Sequence, residues 1–178
     1  MIEAMTKSPE TLTEVHGAIS PKVLFEELRR GVLGQDRALR FASVAIHKHL
    51  LGKVSGNILL IGSSGTGKTT IMNNIQRLYD TVPGFENFRA VTILNANLLV
   101  DSDRTEFRPD RMFSAIEQRA RVILGERPSL AALKETMERA TVGVGEVDKM
   151  SPVIAGKPNP NGVVLQQGLL ALVKCGCV

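Results

Sequence analysis

At 178 residues, with 43% hydrophobic and 22% charged side chains, the chain has the size and balance of one soluble globular domain that buries a core without staples. Two cysteines exclude a disulfide scaffold, and no apolar run approaches the ~18 residues that a bilayer crossing demands. A net charge of +4 with 4% aromatic residues and no tryptophan argues against a dedicated nucleic-acid reader, and the first residues lack a secretory or transit pattern, which points to a cytoplasmic protein without a membrane role.

Met1 to Ile19 has no sustained period and reads as a flexible leader, leaving residues 20–178 as the folded domain. Ser20-Pro21 supplies a cap and a first-turn proline for a helix with Val23, Leu24 and Leu28 on one face, stopped by Gly31. Leu39, Ala42, Ile46 and Leu50 recur at helical spacing and predict a second helix from Asp36 to Leu51. Asn57 to Ile61 is a short continuous apolar run ended by Gly62, which predicts a strand buried on both faces of a parallel sheet, and Ile71, Ile75 and Leu78 predict the helix after it. Arg89–Leu94 reads as a strand, Asp110 as the cap of a helix to Leu124, and Ser129 as the cap of one ending near Ala140. Thr141–Val144 reads as a weaker strand, Gly156–Gly162 as a loop, and Val164–Val173 as a closing amphipathic helix with Leu165, Leu169 and Leu172 on its core stripe. Strands alternating with helices imply right-handed βαβ units and a parallel sheet.

Gly62-Ser63-Ser64-Gly65-Thr66-Gly67-Lys68-Thr69 is a complete G-x-x-x-x-G-K-T. Its glycines let backbone N–H groups converge on phosphate oxygens, and the helix it opens adds partial positive charge. Lys68 offers a point charge to the outer phosphates and the Thr69 hydroxyl a ligand for Mg²⁺, with Thr70 continuing the first turn, so a nucleoside triphosphate such as ATP is the expected ligand of an α/β P-loop NTPase. Hydrolysis also needs an acidic element at the end of a later strand. The candidate is Gly145-Glu146-Val147-Asp148-Lys149, where Glu146 is positioned to orient and deprotonate water. Gly145 stands where an aspartate supporting the metal is expected, and Asp148 is the substitute carboxylate at a shifted register. The plain alternative is a pair of solvated charges at a strand end.

Together these segments resemble the large subdomain of the ClpX-type AAA+ protein unfoldases. Val32-Leu33-Gly34-Gln35 is similar to the family's V-I/L-G-Q motif, whose apolar side chains grip adenine, and Asn57–Thr69 to its phosphate-loop strand and loop. Glu146-Val147-Asp148-Lys149-Met150 resembles its E-I-D-K-I, and Gly162–Leu170 its G-V-Q-Q-A-L-L helix. The resemblance implies a parallel sheet flanked by helices, a polypeptide substrate, a homo-oligomeric ring and partnership with a Clp peptidase. The family's pore aromatic has no clear counterpart, with Phe107 the nearest candidate, and its sensor, arginine-finger and lid elements have no match before Val178. The expectation is therefore an incomplete domain that binds ATP and hydrolyses it weakly in isolation. A hydrolysis-deficient regulatory module and a DNA-remodelling AAA+ motor are the alternatives. Cys175 and Cys177 read as free thiols, His47 and His49 as packed or solvated, and the arginines from Arg104 to Arg127, interrupted by Asp103, Glu106, Asp110, Glu117 and Glu126, as a solvated helical face.

Overall fold

The computed structural model describes residues 19–53, 57–83, 85–125 and 127–175, with the backbone alone at 173–175. The chain falls into two units, divided between Glu86 and Asn87. Residues 1–18 of the expected leader, together with Glu126 and Cys177, lie outside the described residues.

The first unit is built on helices. Ser20 Oγ accepts a hydrogen bond from Val23 N at 3.4 Å and starts α1 (Pro21–Arg29). Leu24, Phe25 and Leu28 are its buried face; Val23, expected there, is exposed, because Phe25 takes the inward position under the guanidinium of Arg40. In α2 (Asp36–Leu50) the predicted stripe of Leu39, Ala42, Ile46 and Leu50 is buried throughout. Burying a leucine contributes on the order of 2 kcal/mol, so this stripe is what docks α2 on α1. In α3 (Lys68–Thr81) Ile71 and Leu78 face inward with Tyr79, whose ring meets Phe85 edge-on at 5.0 Å.

Residues 57–61 differ from the strand predicted for them. They form no ladder, and Leu59 and Ile61 are 78% and 87% exposed. An apolar run becomes a buried strand only where neighbouring strands satisfy its N–H and C=O groups, and the other described elements of this unit are helices.

In the second unit β1 (Val91–Asn95) and β4 (Thr141–Gly145) pair in parallel, in register from Val91 opposite Thr141 to Asn95 opposite Gly145. The crossover between them carries α4 (Pro109–Leu124) and α5 (Leu130–Glu138), as the sequence pattern required. Ser129 caps α5 by accepting from Ala132 N at 3.2 Å. Asp110 does not cap α4: its carboxylate takes the Arg108 guanidinium through two bonds of 2.9 Å, and Arg108 itself stands at the cap position. Between β1 and α4 a short antiparallel pair forms, β2 (Val100–Asp101) with β3 (Glu106–Phe107).

After β4 a second hairpin, β5 (Val153–Ile154) with β6 (Lys157–Pro158), turns through Ala155 at φ 50° and Gly156 at φ 77°. It occupies the start of the predicted loop, and α6 (Pro160–Cys175) begins at Pro160 rather than Val164. The core joins Ala96, Leu99, Val100, Met112, Ile116 and Leu165, with Leu169 and Leu172 of the predicted stripe packed against it. No helix among the described residues is long and apolar enough to cross a membrane.

Candidate nucleotide site

The glycine-rich loop of the first unit is folded by its own polar groups. Ser63 O accepts from Thr66 N at 3.4 Å, from Thr66 Oγ1 at 2.8 Å and from Lys68 Nζ at 2.7 Å, and Lys68 Nζ also reaches Gly62 O at 2.6 Å. The ammonium is thus folded against the carbonyl side of the loop. A Cβ on Gly62 would stand 2.8 Å from Thr66 Oγ1, so any other residue there would have to displace that hydroxyl. Gly67 caps α3 in the left-handed region at φ 85°, a conformation that costs residues with a Cβ about 1–2 kcal/mol.

Gly67 has no side chain with which to cap α3, and the first bond of the helix runs from Ile71 N to Gly67 O at 2.9 Å. The amides of Lys68, Thr69 and Thr70 precede it and have no acceptor inside the helix. Three converging donors, the helix dipole and one lysine make a site for an anion, and the donor set fits a polyphosphate.

Beside the loop lies an open cavity of about 430 Å³ lined by Gly31, Val32, Leu33, Gln35, Gly65, Thr66, Gly67 and Thr70. It brings together the two segments that the sequence singled out. Val32 is 3% exposed and forms the cavity's floor, whereas Leu33 is 89% exposed. Two side chains tie these segments: Gln35 Nε2 donates to Thr66 O at 2.9 Å, and Asn74 Nδ2 donates to Gly31 O at 3.2 Å and to Thr70 O at 3.1 Å. Neither residue was among the sequence candidates for ligand contact. Gln35 lay within the V-L-G-Q motif, but nothing in the sequence pairs it with Thr66.

The acidic candidates belong to the second unit. β4 ends at Gly145, and Glu146 follows at φ 58°, ψ 27°. Its carboxylate is held by Lys149 Nζ at 2.6 Å, which raises the Lys149 pKa above the usual lysine value, first through that hydrogen bond and then through the charge. Asp148 is exposed within the single turn 147–150. Among the described residues no three of His, Cys, Asp and Glu are gathered to hold a metal.

Phe107 packs against the core of this unit, its ring over Gly168 where a Cβ would collide with it. That leaves the candidate aromatic half-buried against the core of its own unit. Three of the arginines are likewise engaged: Arg108 with Asp110 and Asp101, Arg111 with the carbonyls of Leu98 and Val100, and Arg121 with Glu117. Asp110 sits below the usual carboxylate range because of its bond to Arg108. His47 shares a hydrogen bond with Ile19 O and His49 with the Tyr79 hydroxyl.

No family model matches the chain. By sequence it is similar to the ATP-dependent Clp protease ATP-binding subunit ClpX of Bacteroides thetaiotaomicron, 31% identical over 159 residues that take in 80% of this chain and 34% of that protein. The ATP-dependent protease ATPase subunit HslU of Rickettsia akari is 30% identical over 84 residues, 42% of this chain and 19% of the relative. Protein MoxR of Methylorubrum extorquens is 27% identical over 115 residues, 60% of this chain and 32% of the relative. The chain spans about a third of the length of the ClpX relatives it matches.

Proposed function

This chain is related to the ClpX-type AAA+ ATPases and has their P-loop fold, and we propose from that premise that it binds ATP as a unit of a protein-unfolding motor and hydrolyses it weakly by itself. The observation that carries the reading is the cavity shared by residues 31–35 and 65–70, one side apolar and the other edged by the first-turn amides of α3, which have no acceptor inside the helix. Val32 and Leu33 would hold the base, the first-turn amides of α3 with Lys68 the phosphates, and the hydroxyl of Thr69 would be this unit's oxygen donor to Mg²⁺. ATP, when bound, supplies a phosphoanhydride whose cleavage releases free energy for mechanical work.

The chain's own groups then divide the labour. Lys68 must leave the carbonyls of Gly62 and Ser63 to meet an anion, exchanging two neutral acceptors for a charged one and gaining direct attraction between opposite charges. Glu146 is the candidate base, and to take a proton from water it must first release Lys149. Gly145 offers no oxygen to a hydrated cation. These two features favour the second reading, a nucleotide-binding module without productive hydrolysis, and they are why turnover in isolation is expected to be weak. The DNA-remodelling alternative draws no support from arginines that are paired within the unit. A polypeptide substrate, a homo-oligomeric ring and a Clp-type peptidase partner extend the proposal to the assembled protein.

Titration calorimetry tests the reading. Saturable heat with Mg²⁺ and ATP, lost in Lys68→Ala, is the expected result, and no heat from the folded wild-type chain would overturn it.

A further inference from the structure

We propose that Gln35 is a positioning residue for the phosphate loop, acting on the triphosphate through the Thr66 carbonyl and not on the base. The inference rests on the nucleotide-binding reading and adds to it the way in which the two halves of the cavity are coupled.

Gln35 stands at the start of α2, where a side chain ordinarily caps its own helix; it makes no such bond. Its amide instead crosses 31 positions of sequence to donate to Thr66 O. That carbonyl belongs to the peptide plane between Thr66 and Gly67. Because a trans peptide is planar, its C=O and N–H point in opposite directions, so fixing Thr66 O toward Gln35 directs the Gly67 N–H away from it. The plane needs fixing. Gly67, at φ 85°, is one of the two residues about which it turns, a Cβ there would meet nothing within 4 Å, and a glycine has the conformational freedom to let the peptide reorient. Asn74 anchors the other end of the same segment at Gly31, so residues 31–35 form a strap fastened to the loop at one end and to α3 at the other. A ligand ordering the strap from the base side would therefore act on the phosphate side through Gln35.

The experiment uses the full chain and two probes, adenosine and inorganic tripolyphosphate, titrated into wild type, Gln35→Met and Gln35→Glu. Methionine keeps the length and removes the donor. A neutral hydrogen bond to backbone is worth about 1 kcal/mol, so Gln35→Met should lower tripolyphosphate affinity about fivefold and leave adenosine affinity within about twofold, with the melting temperature lowered by no more than a few degrees. Gln35→Glu should lower it at least as much. Loss of adenosine affinity with tripolyphosphate binding intact would overturn the proposal, since Gln35 would then be a base contact. Unchanged affinity for both probes in both variants would overturn it as well. Absence of tripolyphosphate and ATP binding in the wild type is a different result, which removes the nucleotide reading itself.

Discussion

The phosphate loop and the end of β4 are both short turns where a chemical group is expected, and they are built in opposite ways. In the loop, glycines stand where the backbone requires them, Lys68 and Thr66 close it onto Ser63 O, and Gln35 and Asn74 fasten it from outside. At the end of β4 the glycine falls where an oxygen is wanted, and the residue forced into the left-handed region, at a cost of about 1 kcal/mol, is Glu146. Its carboxylate is engaged locally by Lys149. The contrast teaches that binding and turnover are separable properties, and the proposed reading rests the first on the loop and the second on the end of β4.

The largest expected effect breaks that contrast if it is wrong. Lys68→Ala should weaken ATP binding about 100-fold, the worth of charge-assisted bonds to a phosphate, whereas Glu146→Gln should leave binding within about twofold. Equal losses in a fluorescent-nucleotide titration would show that the strand end contributes to binding after all.

Next is the interior of the second unit. Gly168→Ala pushes a methyl group into the Phe107 ring and should destabilise the fold by about 1–3 kcal/mol in urea unfolding, the usual cost of overpacking. A neutral result would mean that the ring leaves its seat easily, restoring Phe107 as an aromatic able to meet a substrate. Gly145→Asp, which adds the missing carboxylate, should raise steady-state phosphate release about tenfold over wild type, a barrier change near 1.4 kcal/mol. No change would place the defect elsewhere, with the Glu146–Lys149 pair as the next candidate.

Which parts were legible in the sequence follows from the range of the interactions. Ser20, Ser129 and the stripe of α2 act within a few residues, and each is found where its spacing predicted. Asp110 had the right type and place for a cap, but Arg108, two residues away, competes for its carboxylate and wins with a bidentate, charge-assisted pair. The run 57–61 is a continuous apolar stretch ended by a glycine, a pattern that records a preference for burial and not the neighbouring strand that must satisfy it. Asn159-Pro160 carried a first-turn proline signal for α6, and Ala155-Gly156 carried the glycine of a tight turn, so both were readable and were masked by the density of prolines nearby. Gln35 with Thr66 and Phe107 with Gly168 are long-range pairs, and no local pattern announces them.

The smallest effect examines the pairing on which the difference at the end of β4 partly rests. Lys149 has its pKa raised by the hydrogen bond from its ammonium to Glu146, so in the folded protein it keeps its proton to higher pH than in the unfolded chain. A raised pKa contributes stability that is fully present below the unfolded value, including neutral pH, and is lost as pH rises through the folded value. Both side chains are well exposed, at 68% for Lys149 and 44% for Glu146, so solvent and salt screen the gain and no large stability change is expected. The sensitive readout is the NMR titration of the Lys149 ε-methylene. In Glu146→Gln the midpoint should fall toward the ordinary lysine value, and in wild type about 1 M salt, with a screening length near 3 Å, should move it the same way. If Lys149 titrates identically in both proteins, the carboxylate of Glu146 is not held, and the weak turnover proposed for this chain must then rest on Gly145.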